Sequence, residues 1–200
     1  GILVSNILKR QNIFNIMGFI DNNRNKKNEL INDFKVLGSE DYLLKNKKEI
    51  INLAIAIGDI KKRELTIKKL INKNFKFPTI IDPSCNISQD AKIGKGTIVS
   101  RSSTILNNTE IGEFSIIGTA VNILHHVKVE NNCIIGGGTT IGSNVCIQKN
   151  VFVGVGVTFA AKEIMIKSNS FISSGSVVLN SVEARSKMIG NPARLIPPRF

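Results

Sequence analysis

From Ile81 to Phe159 an aliphatic or aromatic residue returns at every sixth position without a miss. The series is Ile81, Ile87, Ile93, Val99, Ile105, Ile111, Ile117, Ile123, Val129, Ile135, Ile141, Ile147, Val153 and Phe159. Four positions after each large residue stands a small or β-branched one: Cys85, Ala91, Thr97, Ser103, Thr109, Ser115, Val121, Val127, Cys133, Thr139, Val145, Val151 and Val157. After Phe159 the register slips by one and resumes with Ile166, Ile172 and Val178, so an extra residue is expected within residues 159–166. An α-helix cannot give this stripe, because six residues at about 100° each leave a net rotation of about 240° and the stripe wanders. A six-residue period predicts a parallel β-helix. With three hexads to a triangular coil, residues eighteen apart stack about 4.8 Å from one another. The large residue then points inward and the small one fills the inner corner. Glycine directly after the large residue (Gly94, Gly112, Gly136, Gly142) is read as a backbone position with positive φ.

Residues 1–80 carry no hexads. Residues 13–20 read as a strand ending in the acidic turn at Asp21, and 49–57 as a buried parallel strand running to Gly58 and Asp59. A helix is expected from Ile60 to about Asn74, with Leu65, Ile67 and Leu70 apolar among lysines, and residues 75–80 read as a strand leading into the solenoid. Alternation of strand and helix predicts a small Rossmann-like βαβ domain, a common place for nucleotides at the carboxyl ends of strands. The expected division is an α/β nucleotide-sugar-binding domain at 1–80 and a β-helix at 81–200. A domain of this sort begins with a strand and a glycine-rich turn. This chain opens in what reads as the following helix, so either its true beginning is absent, which is the expectation, or the domain is a degenerate form.

Composition narrows the function classes. At 42% hydrophobic and 21% charged the chain reads as soluble. Apolar runs such as 50–57 are too short to span a bilayer, and the charges of the N-terminus follow its apolar residues, the reverse of a signal peptide. Three cysteines with no Cys-x-x-Cys pair speak against a disulfide framework and fit a reducing cytoplasm. Cys85 and Cys133 occupy the small inner position, so their explanation is structural. The net charge of +12 divides as 16 basic and 8 acidic side chains in 1–80 against 11 and 7 in 81–200. With one Tyr and no Trp there is little for nucleic-acid bases to stack on. The excess is read as a lysine-rich solvated surface that also attracts a small anionic substrate.

Both histidines of the chain, His125 and His126, are adjacent. In their hexad the inward places belong to Ile123 and Val127, so the pair stands on an outward corner. A metal site would need further ligands, and no His or Cys at suitable spacing supplies them. Two readings stay open: a solvated corner, and a general base, since an imidazole with a pKa of about 6.5 accepts a proton near neutrality. Stacking sets Asn107 and Asn108 one coil below the pair and Ser143 and Asn144 one coil above. The side-chain carbonyl of Asn107, or His126 itself, is expected to fix the tautomer of His125, with Glu110 and Glu130 off that stack. Gly136-Gly-Gly138 lacks the Lys-Ser/Thr ending of a P-loop and reads as tight corners.

Gly18-Phe-Ile-Asp-Asn22, Ala56-Ile-Gly-Asp59 with Arg63, Phe77-Pro-Thr-Ile-Ile-Asp-Pro83, the hexads and Ile189-Gly-Asn-Pro-Ala193 together carry a resemblance over nearly the whole chain. It is to the bacterial sugar acyltransferases of the hexapeptide-repeat class, which include the bacillosamine-pathway N-acetyltransferases and the sialic acid O-acetyltransferases. The resemblance implies a left-handed β-helix, a homotrimer, acetyl-coenzyme A between neighbouring solenoids, and a nucleotide-sugar site reaching the N-terminal domain. His125 takes the family's catalytic place. His126 stands where an acid is usual, and Ile134 where a second histidine is usual. By family position Ile134, Ser143, Val155 and Ser173 line the coenzyme channel, and Asp21, Asn22, Gly58 and Asp59 hold the nucleotide. The implied reaction is N-acetylation of a UDP- or dTDP-linked amino sugar for a surface glycan. O-acetylation of a sialic-type sugar and a non-catalytic binding or scaffold role are the alternatives.

Overall fold

The computed structural model describes residues 1–46 and 48–197. Its larger part is a three-faced prism of parallel strands. The first face runs from Ile80–Ile81 through Ile98–Val99, Ile116–Ile117, Ile134–Ile135, Phe152–Val153 and Phe171–Ile172 to a C-terminal pair, Lys187–Ile189 with Arg194–Leu195. The second face stacks six strands from Asn86–Ile87 to Val177–Val178, and the third stacks five from Lys92–Ile93 to Ile164–Ile166. Each strand pairs in parallel with the one eighteen residues on, as Ile117 with Ile135 and Ile123 with Ile141. The extra residue lies in the corner between Phe159 and Ile164, after which Cys146 pairs with Met165 and Phe152 with Phe171.

The core is the column the period describes. Val99, Ile105, Ile117, Ile123, Ile135, Ile141, Ile147 and Val153 are fully buried, and so are the corner residues Thr97, Ser103, Thr109, Ser115, Val121, Cys133, Thr139, Val151 and Val157. Buried hydroxyls need partners. Thr97, Ser103, Thr109, Ser115 and Thr139 each donate to a carbonyl fifteen residues later, at 2.7–3.1 Å.

The reading of the corner glycines needs correction. From Ile93 to Val153 positive φ falls three residues after each large residue, at Gly96, Ser102, Asn108, Phe114, Ala120, His126, Asn132, Gly138, Asn144, Asn150 and Gly156. Gly94, Gly112, Gly136 and Gly142, directly after the large residue, are not among the positive-φ positions. They are glycine because the next coil lies against them: a Cβ on Gly136 would meet the Gly154 carbonyl carbon at 2.5 Å.

The N-terminal region is smaller in strand than expected. Helix α1 (Ile2–Gln11) leads to strand β1 (Phe19–Ile20), which pairs in parallel with β3 (Phe34–Gly38). A hairpin joins β3 to β2 (Leu30–Ile31), and α2 (Glu40–Lys45) and α3 (Ile60–Leu70) follow. The expected strands at 49–57 and 75–80 reduce to one parallel bridge, Asn52 with Lys76, and the expected helix closes at Leu70 rather than near Asn74. The crossover survives as bridge, helix, bridge. Leu43, Ile50, Ile55, Leu70, Phe75 and Phe77 bury together with Phe114 of the solenoid, while Val4 and Ile7 of α1 cover Ile80 and Ile98 on the first face.

Two polar joints tie this region to the prism. At the first coil Arg10 pairs with the buried Asp82, and Gln11 donates to the Ile81 carbonyl at 2.7 Å. Further along, Arg63 of α3 is fully buried, and donates through Nε to Asn132 Oδ1 at 2.8 Å and through a terminal nitrogen to the Cys133 carbonyl at 3.1 Å. Its other terminal nitrogen has no partner among the described residues. Burial lowers the Arg63 pKa to about 10, which leaves it charged at neutral pH.

Candidate active site

The edge between the second and third faces is a column of corners, and the histidines form one of its rungs. Ile123 is buried at the end of one strand, Lys128 opens the next, and the two histidines between them turn outward and are exposed. His126 has φ 59°, the left-handed conformation its corner place demands. Its N–H donates to the Asn107 carbonyl below at 3.1 Å, and the Asn144 N–H above lies 3.4 Å from the His125 carbonyl. The backbone ladder therefore fixes both Cα positions before any side chain acts.

The rings are held by one another and by the rungs above and below. His125 Nδ1 lies 2.9 Å from His126 Nδ1, with the rings at right angles and their centroids 5.1 Å apart. His125 Nε2 lies 3.0 Å from Ser143 Oγ, and His126 Nε2 lies 3.4 Å from Asn108 Nδ2. One nitrogen of His125 is thus oriented by a neighbour, and the other is capped by a single hydroxyl that a substrate can displace.

Asn107 does not take the part expected of it. Its side-chain carbonyl accepts from the Ser88 hydroxyl at 3.3 Å and its amide donates to Asp90 at 3.1 Å, so it turns down the edge and away from His125. The side chain beneath the pair is that of Asn108, the left-handed corner residue in register with His126. Glu110 and Glu130 are occupied elsewhere, by Lys92 at 2.9 Å and by the Lys149 N–H at 3.0 Å.

The residues expected along the coenzyme channel divide between two edges. Ser143 is buried beside His125. Ile134 faces outward on the first face, and Val155, 62% exposed, and Ser173 lie on the edge between the first and second faces. Outward on the first face run Ile116, Ile134, Phe152 and Phe171, the two phenylalanines stacked 4.8 Å apart at 5°. This apolar column continues the one that α1 covers lower down.

In the N-terminal region the four expected nucleotide residues are structural as well as polar. Asp21 accepts from the Asn23 N–H at 2.9 Å and pairs with Lys26 at 3.2 Å; the backbone bond to Asn23 leads the causes that hold its carboxyl below the usual range. The Asn22 side-chain carbonyl accepts from the Glu40 N–H, and its side-chain amide donates to the Glu40 carboxylate. Asp59 caps α3 by accepting from the Lys62 N–H at 2.9 Å, and Gly58 beside it has open space where a Cβ would be. Glu40 links the Asn22 turn to α3 through Thr66 and Lys69. Among the described residues no hydrogen bond joins Asp21 or Asn22 to Gly58 or Asp59.

Sequence reasoning gave the contact to Asn107 rather than Asn108, and passed over Asp90 and the burial of Arg63. The eighteen-residue register placed Asn108 under the pair, but not which of two adjacent side chains turns upward. Asp90 lies two coils down, beyond the neighbours that a single stacking step considers.

Comparison with known proteins bears on both parts of the chain. Residues 1–70 match the family model of the PglD N-terminal domain, and residues 108–143 match that of the bacterial transferase hexapeptide with six repeats. The resemblance read from the residues is borne out in both halves. No protein in the search of curated sequences matches the chain. Among solved structures, PerB from Caulobacter crescentus in complex with CoA and GDP-perosamine is similar with a TM-score of 0.91 and 22% identity, over 98% of this chain and 91% of that one. The acetyltransferase domain of PglB from Neisseria gonorrhoeae, in complex with acetyl coenzyme A, gives a TM-score of 0.90 at 21% identity, over 97% and 93%. AntD, an N-acyltransferase from Bacillus cereus in complex with dTDP and 3-hydroxybutyryl-CoA, gives 0.56 at 16% identity, over 61% and 80%. The shared fold is a small α/β domain followed by a left-handed parallel β-helix.

Proposed function

We propose that this chain, a PglD-type N-terminal domain joined to a transferase hexapeptide solenoid, is an acetyl-CoA-dependent N-acetyltransferase. Its acceptor is the amino group of a nucleotide-linked amino sugar, such as a UDP- or dTDP-linked 4-amino-dideoxy sugar made for a surface glycan. The observation that carries this reading is the exposed imidazole of His125, with Nδ1 held by His126 and Nε2 met by one hydroxyl, that of Ser143. The fold supports it, as do the ligands of the similar structures: CoA with GDP-perosamine in one, and acetyl coenzyme A in another.

The chemistry is direct transfer. The acceptor amine attacks the thioester carbonyl carbon and His125 Nε2 takes the proton the amine sheds. The tetrahedral oxyanion forms beside Ser143, whose N–H takes no acceptor among the described residues and whose hydroxyl is freed when substrate displaces it from His125. Collapse breaks the C–S bond, and the proton passes from His125 to the departing thiolate.

The proposed assembly is a homotrimer, and the placement of the parts supports it. His125 stands between the second and third faces, whereas its own N-terminal region packs on the first face and against Phe114 at the third-to-first edge. A neighbouring copy can bring Ile134 of its own first face, and Val155 and Ser173 of the adjoining edge, against the His125 edge to wall the donor, and Asp21, Asn22, Gly58 and Asp59 against the acceptor. The outward column of Ile116, Ile134, Phe152 and Phe171 offers the apolar area for such contact. No described helix is long and apolar enough to cross a membrane, and the proposed setting is the cytoplasm, where nucleotide sugars and acetyl-CoA meet. The functional division is placed at residue 80.

The test is thiol release from acetyl-CoA with a panel of nucleotide-linked amino sugars and free sialic-type sugars. His125→Ala should lose about 10²–10⁴-fold in turnover with donor binding retained, and His126→Ala should lose on the order of tenfold. Wild-type rates in both variants defeat the reading. Turnover confined to hydroxyl acceptors replaces N- with O-acetylation.

A further inference from the structure

The one place between Ile81 and Val178 where the six-residue period slips serves no step of the proposed transfer. The extra residue falls in the corner between Phe159 and Ile164. That corner belongs to the histidine edge, two coils above His125. Where the coil below turns from Ile141 to Val145 through three residues, this one takes four, Ala160-Ala161-Lys162-Glu163, and the last three are exposed. The Lys162 N–H folds back on the Ala160 carbonyl at 3.0 Å, and the Ala160 N–H is held by the Val178 carbonyl at 3.0 Å. The protrusion is therefore a hydrogen-bonded turn rather than a loose loop.

Its positive charge is left over. Three other lysines of the prism lie against a glutamate of the neighbouring coil: Lys92 with Glu110, Lys95 with Glu113 and Lys167 with Glu183. Lys162 instead reaches up to a neutral amide, donating to Asn180 Oδ1 at 3.0 Å. Beside Asn180 opens a hollow of about 150 Å³, lined also by Leu179, Leu195 and the exposed Arg194. Beneath the histidines the same edge carries the carboxylate of Asp90. Along this edge an anion is thus repelled below His125 and attracted above it, with Glu163 set at the third-face end of the corner.

Distance selects the kind of anion. At about 4.8 Å per coil, the Lys162 ammonium, level with Asn180, stands three coils or about 14 Å along the edge from His125. A pantetheine arm has peptide-like bonds and the length of about four extended residues, so it spans about 14 Å from its sulfur to the first phosphate. We propose that this corner is the diphosphate seat of the donor, and that Lys162 is the residue by which the site tells coenzyme A thioesters from thioesters without phosphate. Asn180 holds the ammonium in place without neutralising it, so a phosphate oxygen gains a charge-assisted bond. The added residue moves Lys162 out of the column of corners, so that it flanks the arm instead of lying under it. The inference rests on the thioester reacting at His125, and its readout is binding, which needs no acceptor.

Calorimetric titration of the whole protein with CoA, dephospho-CoA and pantetheine tests it. Lys162→Met keeps the stem and should weaken CoA and dephospho-CoA about tenfold each, since both carry the diphosphate, while pantetheine stays within about twofold. Deleting Ala161 keeps the lysine but returns the chain to strict period, so Tm should hold and CoA should weaken to the same degree. CoA bound by either folded variant as tightly as by wild type overturns the proposal. So does an equal loss for pantetheine, which marks a general disturbance of the edge. A loss for CoA but not for dephospho-CoA gives Lys162 to the ribose phosphate and overturns the diphosphate seat. Protein that loses CoA affinity with Lys162→Met yet acetylates no sugar keeps the seat and defeats the N-acetyltransferase. An active enzyme that needs His125, with CoA affinity unmoved by Lys162→Met, does the reverse.

Discussion

Gly136 and Gly138 are two residues apart in one corner and should respond oppositely to what backbone angle alone suggests. Gly138 has φ +67°, yet nothing lies within 4 Å of a Cβ built there, and Ala120 already occupies the equivalent corner one coil below at φ 54°. Gly138→Ala should therefore cost about 1 kcal/mol, the left-handed penalty of an L-residue. Gly136 is free of that penalty, but its Cβ would sit 2.5 Å from the carbonyl carbon and oxygen of Gly154 and 2.6 Å from the Val155 nitrogen. Reaching ordinary contact needs the coils to part by nearly 1 Å, against ladder bonds across the same gap of 2.8 Å from Gly136 to Val153 and 2.9 Å from Gly156 to Gly137. Weakening two such bonds and loosening the corner packing comes to about 3 kcal/mol. For a chain of this size that is roughly 6–12 °C in Tm, against about 2–4 °C for Gly138→Ala. Thermal and urea unfolding of the two variants at equal concentration decides it. Equal losses, or a larger one for Gly138→Ala, would refute close coil approach as the reason for glycine here.

Other consequences are as direct. Ile141→Asp would bury a carboxylate without a partner in the central column and should cost several kcal/mol or prevent folding, read from soluble yield and Tm. Arg63→Ala should lose about 3–5 kcal/mol, since it opens a cavity and strands the Asn132 and Cys133 acceptors, whereas Arg63→Met keeps the stem and should lose roughly half of that in urea titration. Burial pushes the Asp82 carboxyl up, but the Ser84 hydroxyl and N–H and the Arg10 guanidinium outweigh it and hold the group below its ordinary value of 3.8. The stability it adds is complete above that value and is lost as pH falls through the lower folded one. The stability gap between wild type and Asp82→Asn should accordingly close below about pH 4. Burial raises the Cys133 thiol to about 12, so it should resist thiol reagents at pH 8 until the chain unfolds, and Cys133→Ser should keep full turnover.

The solenoid was legible because every coil repeats the same demand. A residue such as Ile123 is inward for the same reason as Ile105 and Ile141, so one local rule is restated fourteen times. The corner glycines were assigned the wrong cause because sequence shows where glycine is tolerated, not whether a dihedral or a neighbouring coil requires it. The N-terminal region has no such repetition. Its hairpin went unread, although Asn32-Asp33 between Ile31 and Phe34, both at positive φ, is a two-residue turn of the kind that favours Asn and Asp. The apolar run at 49–57 suggested a strand, but tertiary packing uses Ile50 and Ile55 as anchors for Leu70 and Phe77 and leaves only the Asn52 bridge. At the site, register alone brought Ser143, Asn107 and Asn108 to the histidine rung. Which of two adjacent asparagines turns toward a ring depends on which one holds the left-handed corner, a matter of three-dimensional handedness that the period does not encode.

The two buried joints, Arg10 with Asp82 and Arg63 with Asn132 and Cys133, make the N-terminal region a brace across a fixed number of rungs. Insertions in a solenoid are ordinarily silent when they come as whole coils, because stacking resumes in phase. Between Asp82 and Asn132 even a whole coil of eighteen residues would lift one foot of the brace by a rung of about 4.8 Å and leave the Arg63 charge buried without its acceptors. Length variation and grafted coils should therefore be tolerated only beyond Cys133. The interval holding Asp90, Asn108 and the histidines is locked in length, and any relative that keeps both joints must keep the same rung count between them.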